Sequence, residues 1–340
     1  MINKKYIFLI FRNNYRKSTI GNFGKSNNYG SIKLVSLSGR INSIFGRILY
    51  FLKLGKFISV DGDPFLKDEK NSINVWFPGT SLKITKRFQD YKNNYVNINN
   101  PVIKKEKNIF QIFPIINDGN QIRKDRKIIF MGKIFFKPKN NDLLSQEELN
   151  DCKDNLLSDF SLIDNFDFWK KIKNQNNDHI KFENYRILKT YLREKVILEI
   201  SKNFKNKFLV YGQNIKDDNI KFMKPIFDLN KVKKIYKGNL CLDTGSITGS
   251  ISLYPRSIQI LENGGLLLQT KQADEKYIWG NLSEKIISNN LEKLLSDLDS
   301  FLTDTKKCND TLGLIETKFK NSRTDIENSL KKIFKYDEKF

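Results

Sequence analysis

"NLCLDTGSITGSISLYPRSIQILENGGLLLQT", residues 239–270, is the stretch on which the fold turns. An unalternated apolar run, 240–242, ends in Asp243 and a loop of small residues. Pro255 then opens a short helix, Asn263, Gly264 and Gly265 close it, and a second apolar run, 265–269, follows at once. Apolar runs without alternation suit strands covered on both faces of a parallel sheet. A helix between two of them makes a β-α-β unit with a right-handed crossover. Proline is at ease in the first helical turn because its missing N–H is not needed there, and glycine just past the last turn allows left-handed backbone.

The pattern repeats on working outward. "KIIFMG" (127–132) and "KFLVYG" (207–212) read as further strands of the same sheet, with an acidic helical region over about 143–172 and a helix over about 185–203. Upstream, "YIFLIF" (6–11) and "KFISV" (56–60), separated by a helical segment at about 41–54, predict a second parallel sheet. The polar "NDGNQIRKDRK" (117–127) has the composition of a domain boundary. From 288 onward the chain reads as helical. Leu291, Leu294, Leu295, Leu298, Phe301 and Leu302 recur at three and four after a start signal at Asn289 and Glu292, and a last helix spans about 308–336. At 340 residues the chain exceeds what one core usually covers, so two domains are expected, 1–120 and 121–340.

Composition narrows the function classes. With 39% apolar residues, including 26 Phe and 13 Tyr, the chain is not a disordered one. Sixty Lys and Arg against 38 Asp and Glu give a formal charge of +22, which calls for an anionic partner. The cations are spread along a Lys-, Asn- and Ile-rich sequence and form no stripe, so no nucleic acid is expected; contact with a membrane surface stays open. Cys152, Cys241 and Cys308 are odd in number and far apart, which indicates neither a disulfide framework nor a zinc site and suits a reducing, cytoplasmic compartment. His179 is the single histidine, set in a polar stretch that reads as a loop, so histidine-rich metal centres are excluded and no metal is expected. The apolar segment 44–60 contains Arg47, Lys53 and Lys56 and is too interrupted to span a bilayer.

Candidate site residues follow from the strand ends, which face the ligand crevice in open α/β sheets. Asp61 and Asp63 of "DGDP" directly follow one strand and are the candidate catalytic carboxylates, or else ordinary turn residues. "GNFGKS" (21–26) lacks the glycine that a phosphate loop needs at position 19, where Thr stands; it remains a Gly-rich loop after the first strand. Arg256 stands in the first turn of its helix, beside free amides that welcome an anion, and its fork matches phosphate oxygens. The alternative is that it pairs with a carboxylate such as Asp243. "DTGSITGS" (243–250), with Gly245 and Ser246, offers small residues and amides as a cradle for phosphate or sugar hydroxyls.

The run 234–270, together with "KFLVYG" and "KIIFMGKIFFKP" (127–138), resembles the C-terminal half of group 1 glycosyltransferases, nearest to the glycosyltransferase-like domain of the spore-coat maturation type. The resemblance extends over about 127–336. It implies the α/β GT-B fold: two Rossmann-like domains with parallel sheets facing a cleft and a helical C-terminal end. The N-terminal domain would lie on the acceptor side, and the C-terminal one would hold a nucleotide-sugar donor. The implied reaction is metal-independent hexosyl transfer from that donor, a substrate with no separate cofactor, to a hydroxyl of a glycan or other acceptor. Carried over residue by residue, Lys133 and Lys137 would meet the donor diphosphate together with Arg256, and Gly245 and Ser246 would form the donor loop. The family's two glutamates, eight apart, fall on Ile251 and Gln259. The amide of Gln259 can still hydrogen-bond a ribose hydroxyl, and Glu262, one turn later, is the substitute carboxylate. A GT-B-like protein that binds a sugar nucleotide or serves as a scaffold without chemistry is the alternative.

Overall fold

The computed structural model describes residues 5–11, 21–25, 27–60, 66–76, 94–96, 110, 112–132, 134, 155–164, 178–212, 220, 222–226, 228–246 and 251–336. The chain divides into two compact units, Met1–Ile116 with Leu253–Glu262 and Glu316–Phe340, and Asn117–Ser252 with Asn263–Ile315.

The first unit carries β1 (Lys5–Phe11), β2 (Asn27–Tyr29), β3 (Ile32–Ser38), β4 (Lys56–Val60), β5 (Ser72–Trp76) and β6 (Asn94–Val96) in the order β2-β3-β1-β4-β5-β6. All pairs are parallel except β2 with β3. β1 lies at the centre, with Phe8 opposite Val35 on one side and Phe57 on the other. Leu9, Ile10 and Phe11 are wholly buried, as a strand covered on both faces requires. Its core joins Ile7, Phe23 and Phe110 to Ile326 and Leu330 near the end of the chain.

The second unit carries β7 (Ile128–Met131), β8 (Phe208–Tyr211), β9 (Phe222–Met223), β10 (Leu240–Asp243), β11 (Leu266–Thr270) and β12 (Ile287–Ser288), all parallel, in the order β12-β11-β10-β7-β8-β9. The chain steps outward from β7 to β9, returns to the other side of β7 as β10, and steps outward again. That is the Rossmann order, and its direction reverses between β7 and β10, where Leu240 pairs with Ile128.

The helices are α1 (Arg40–Phe51), α2 (Asp178–Asn203), α3 (Leu229–Tyr236), α4 (Pro255–Glu262), α5 (Glu275–Trp279), α6 (Ser283–Ile286), α7 (Leu291–Thr303), α8 (Thr305–Phe319) and α9 (Ser322–Ile333). Two Rossmann-like α/β units followed by a helical end are the components of the GT-B class. On α7 the buried residues are Leu294, Leu298, Phe301 and Leu302, the centre of the expected stripe.

Several local expectations change. The hairpin β2–β3, which turns at Gly30 with φ 53°, carries no long apolar run and escapes a search for buried strands. Asn290, not Asn289, caps α7, because its side chain accepts the N–H of Lys293. The last helix breaks in two between Phe319 and Ser322. His179 lies in the first turn of α2 and not in a loop. Cys241 and Cys308 are free and buried, while Cys152 and most of the acidic region 143–172 lie outside the described residues. Among the described residues, no helix is long and apolar enough to cross a membrane.

Gly264 sits at φ 73° after α4, and a Cβ there would meet the side-chain oxygen of Asn120 at 2.5 Å. Gly264→Ala should therefore lower stability by about 1–2 kcal/mol, the usual penalty of left-handed backbone. Chemical denaturation checks this, and an unchanged midpoint would mean that the turn does not depend on glycine.

Candidate functional site

At the carboxyl end of β10 the apolar run gives way to Asp243, Thr244, Gly245 and Ser246, all buried. Asp243 Oδ1 accepts the N–H of Gly245 at 3.0 Å, which bends the backbone back over the strand end. Gly245 has φ 74°, and a Cβ on it would strike the Gln272 amide at 2.6 Å, so the loop tolerates only glycine there. α2 supplies the second constraint. Arg193 Nε donates to Thr244 Oγ1 at 2.8 Å, and its terminal nitrogen donates to the carbonyl of Gly245 at 2.6 Å. A buried guanidinium thus holds the loop in one shape.

One turn earlier on α2 stands Lys189, only 2% exposed. Its ammonium has no hydrogen-bond partner. Asp164 Oδ2 lies 4.0 Å away, and the other oxygen of that carboxylate accepts from Tyr185 Oη at 3.2 Å. Burial pulls the pKa of Lys189 down; the charges of Asp164 and Asp243 counter this, and Arg193 adds to it. A buried cation without an acceptor is costly.

The end of β11 shows the opposite polarity. Asp274 Oδ1 accepts from the backbone N–H and the hydroxyl of Ser252 at 2.8 and 2.7 Å, while Oδ2 is buried and has no partner. Burial raises the carboxyl to about 6, outweighing the Ser252 hydrogen bonds. Gln269 fixes this corner by donating to the Ser252 carbonyl at 2.8 Å and accepting from the Trp279 indole at 3.2 Å. Lys189 and Asp274 both feel the charge of Asp164. The carboxyl edge of the second sheet therefore holds one buried cation lacking an acceptor and one buried carboxylate oxygen lacking a donor. A ligand that brings both anionic oxygens and hydroxyls satisfies both.

In the first unit, Glu262 ends α4 and is 9% exposed. Its two oxygens accept the backbone N–H groups of Asn22 and Ile115 at 2.6 and 3.0 Å, so the carboxylate ties the turn Gly21–Gly24 to the segment before residue 116. Burial raises its pKa to about 7 against those two hydrogen bonds and the nearby Lys25 and Arg323.

The expected site residues thus part into groups. Gly245 and Ser246 belong to the second unit; Arg256, Gln259 and Glu262 ride on α4, which groups with the first. Arg256 and Gln259 are half-buried. Asp61, Asp63, Lys133 and Lys137 lie outside the described residues. Sequence reasoning missed Lys189, Arg193 and Asp274. Lys189 and Arg193 stand four apart beside the buried Leu188, Leu192 and Val196, and cations at helical spacing next to a core stripe were the available signal. Among the described residues, no group of three or more His, Cys, Asp or Glu could hold a metal ion.

No protein-family model and no curated protein matches the chain. Solved structures do. A mutant of T4 phage β-glucosyltransferase in complex with UDP-glucose is 12% identical, with 97% of this chain and 99% of that one covered and a TM-score of 0.46. A mutant O-GlcNAc transferase from Thermobaculum terrenum is 8% identical, with 98% and 68% covered and a TM-score of 0.46. A UDP-forming α,α-trehalose-phosphate synthase from Burkholderia vietnamiensis is 8% identical, with 99% of each chain covered and a TM-score of 0.44.

Glu262 generates a pH prediction. Its folded pKa of about 7 stands above the ordinary 4.5, so the unfolded chain loses this proton first. Stability must then fall as pH rises from about 4.5 to about 7. Glu262→Gln should flatten that window and cost about 1–3 kcal/mol, because one of the two amides loses its acceptor. Denaturation midpoints across this range check it; equal slopes in both proteins would remove Glu262 as the source.

Proposed function

We propose that the protein is a glycosyltransferase that moves a sugar from a nucleotide-sugar donor to a hydroxyl of a glycan or other acceptor in the cytoplasm. The observation that carries this reading is the buried ammonium of Lys189 beside the loop that leaves β10, which has no hydrogen-bond acceptor and only the Asp164 carboxylate at 4.0 Å. Where such a sheet reverses direction, a ligand meets the loops leaving β7 and β10. A diphosphate gives Lys189 its missing acceptor, and a sugar or ribose hydroxyl gives Asp274 Oδ2 its missing donor.

The chemistry needs little more. The acceptor hydroxyl attacks the anomeric carbon, the bond from that carbon to the diphosphate oxygen breaks, and nucleoside diphosphate leaves with the electron pair. Charge grows on the leaving oxygens, and a preorganised cation in a site without water stabilises it more than water does. Lys189 fills that role without calling on a metal ion. Arg193 does not touch the donor in this scheme; it keeps Gly245 and Ser246 in the shape against which the donor lies. Lys133 and Lys137, next after β7, are proposed as further diphosphate contacts, with Arg256 and Gln259 as donor contacts carried by α4. Asp61 or Asp63, next after β4, is proposed to take the acceptor proton. The buried free thiols Cys241 and Cys308 suit a reducing compartment.

One observation favours a second reading, a sugar-nucleotide-binding protein without transfer: Ile251 and Gln259 stand where the resembled family has glutamates. Turnover separates the two. Calorimetry against UDP, GDP, ADP and dTDP and their sugars should find one binding nucleotide. Lys189→Met should weaken that binding at least tenfold while the protein stays folded, because the ammonium has no hydrogen-bond acceptor and Asp164 keeps the hydrogen bond from Tyr185. A mutant that binds like the wild type, or a wild type that binds none of the panel, contradicts the proposal. Arg256→Ala should likewise lose about tenfold in affinity, the scale of one charge-assisted phosphate contact, and unaltered binding would leave Arg256 with a structural role.

A further inference from the structure

α1 is built inside out. It meets its own sheet through small residues: Ser43 is 4% exposed, and a Cβ added to Gly46 would press on Ile10 and Leu37 at 3.1 Å. Leu49 and Tyr50, half-buried, supply the rest of that inner face, packed against Ile10 and Phe57. The bulkier apolar side chains point the other way. Ile41 is 82% exposed, Ile44 55%, Phe45 52%, Ile48 49% and Phe51 77%. Their spacing of three and four puts them on one stripe along a helix about 18 Å long. Leu52 and Leu54, also exposed, prolong it past the helix end. A surface helix ordinarily turns its apolar stripe to the core; a contiguous stripe left in solvent marks a binding surface.

Charge selects the partner. Residues 1–60 contain no Asp and no Glu, so all of their side-chain charge is positive. Arg47 and Lys53 are exposed at the margin of the stripe. Asp68, whose backbone N–H donates to Tyr50 Oη, is a carboxylate near Lys53; α1 itself carries only cations beside its apolar stripe, the composition of a helix that lies in the headgroup region of an anionic bilayer. A second copy of the chain fits less well. One helix of this length is short for the roughly 800 Å² per partner of a stable interface, and pairing would set like charges against each other.

We infer that α1 docks the first unit onto an anionic membrane surface, with Ile44, Phe45, Ile48 and Phe51 among the acyl chains and Arg47 and Lys53 at the level of the lipid phosphates. The inference uses no residue of the second unit and stands apart from the transferase reading.

Co-sedimentation with phosphatidylcholine vesicles, with and without phosphatidylglycerol, tests it. The wild type should bind the anionic vesicles, and less so as salt is raised. Ile44→Ser with Phe45→Ser should weaken binding by about tenfold or more, since each buried apolar side chain is worth that much. Its melting temperature should be unchanged, because both side chains already face solvent. Arg47→Glu with Lys53→Glu should remove the preference for anionic lipid. In Phe45→Trp, emission should shift to the blue when vesicles are added. The inference fails if the wild type ignores anionic vesicles, if the serine variant binds as well as the wild type, or if light scattering shows a dimer that the serine variant turns into a monomer.

Discussion

Between β7 and β10 the chain reverses its direction of travel across the second sheet, the place where ligands bind in open α/β sheets. Arg193 reaches in from α2 and fixes the loop 243–246, while Lys189, one turn away, reaches the same edge and finds no hydrogen-bond acceptor. The two cations share a helix, yet only Arg193 has hydrogen-bond acceptors, while Lys189 has the Asp164 carboxylate at 4.0 Å. On the proposed reading that difference separates a positioning residue from a binding one.

The same logic orders the polar residues at the neighbouring strand. Ser252 engages one oxygen of Asp274 twice, and the other oxygen is left buried and empty-handed. On the proposed reading, a molecule with anionic and hydroxyl groups gives Lys189 an acceptor and Asp274 Oδ2 a donor. Glu262 is the contrasting case. It is equally buried, but both of its oxygens have backbone amides, and its role is to hold Gly21–Gly24 in place.

Much of the scaffold was legible because its strands are buried on both faces. β1, β4, β7, β8, β10 and β11 are short unalternated apolar runs, and such runs have few other uses in a chain of this polarity. The β2–β3 hairpin and the short strands β5, β6, β9 and β12 were not legible, since pairing and not composition places them. At the site, Gly245 could be read from its neighbours, but Lys189 and Arg193 could not be told from the many other cations of a lysine-rich chain. Their burial is decided by the packing of α2, which spacing alone suggests and only the fold fixes. α1 shows the reverse problem: a helical segment was expected at about 41–54, while the side that faces the sheet is the one with the smaller residues.

The most direct test of this account is hydrogen exchange of the wild-type protein with and without saturating nucleoside diphosphate, read peptide by peptide. If the reversal point of the second sheet is where the diphosphate lies, residues 243–246 and the part of α2 around Lys189 and Arg193 should slow on binding, because a ligand held there by the folded protein suppresses local opening. Protection confined to other peptides, with these two unchanged, would place the ligand elsewhere and leave Lys189 as a structural oddity of the fold.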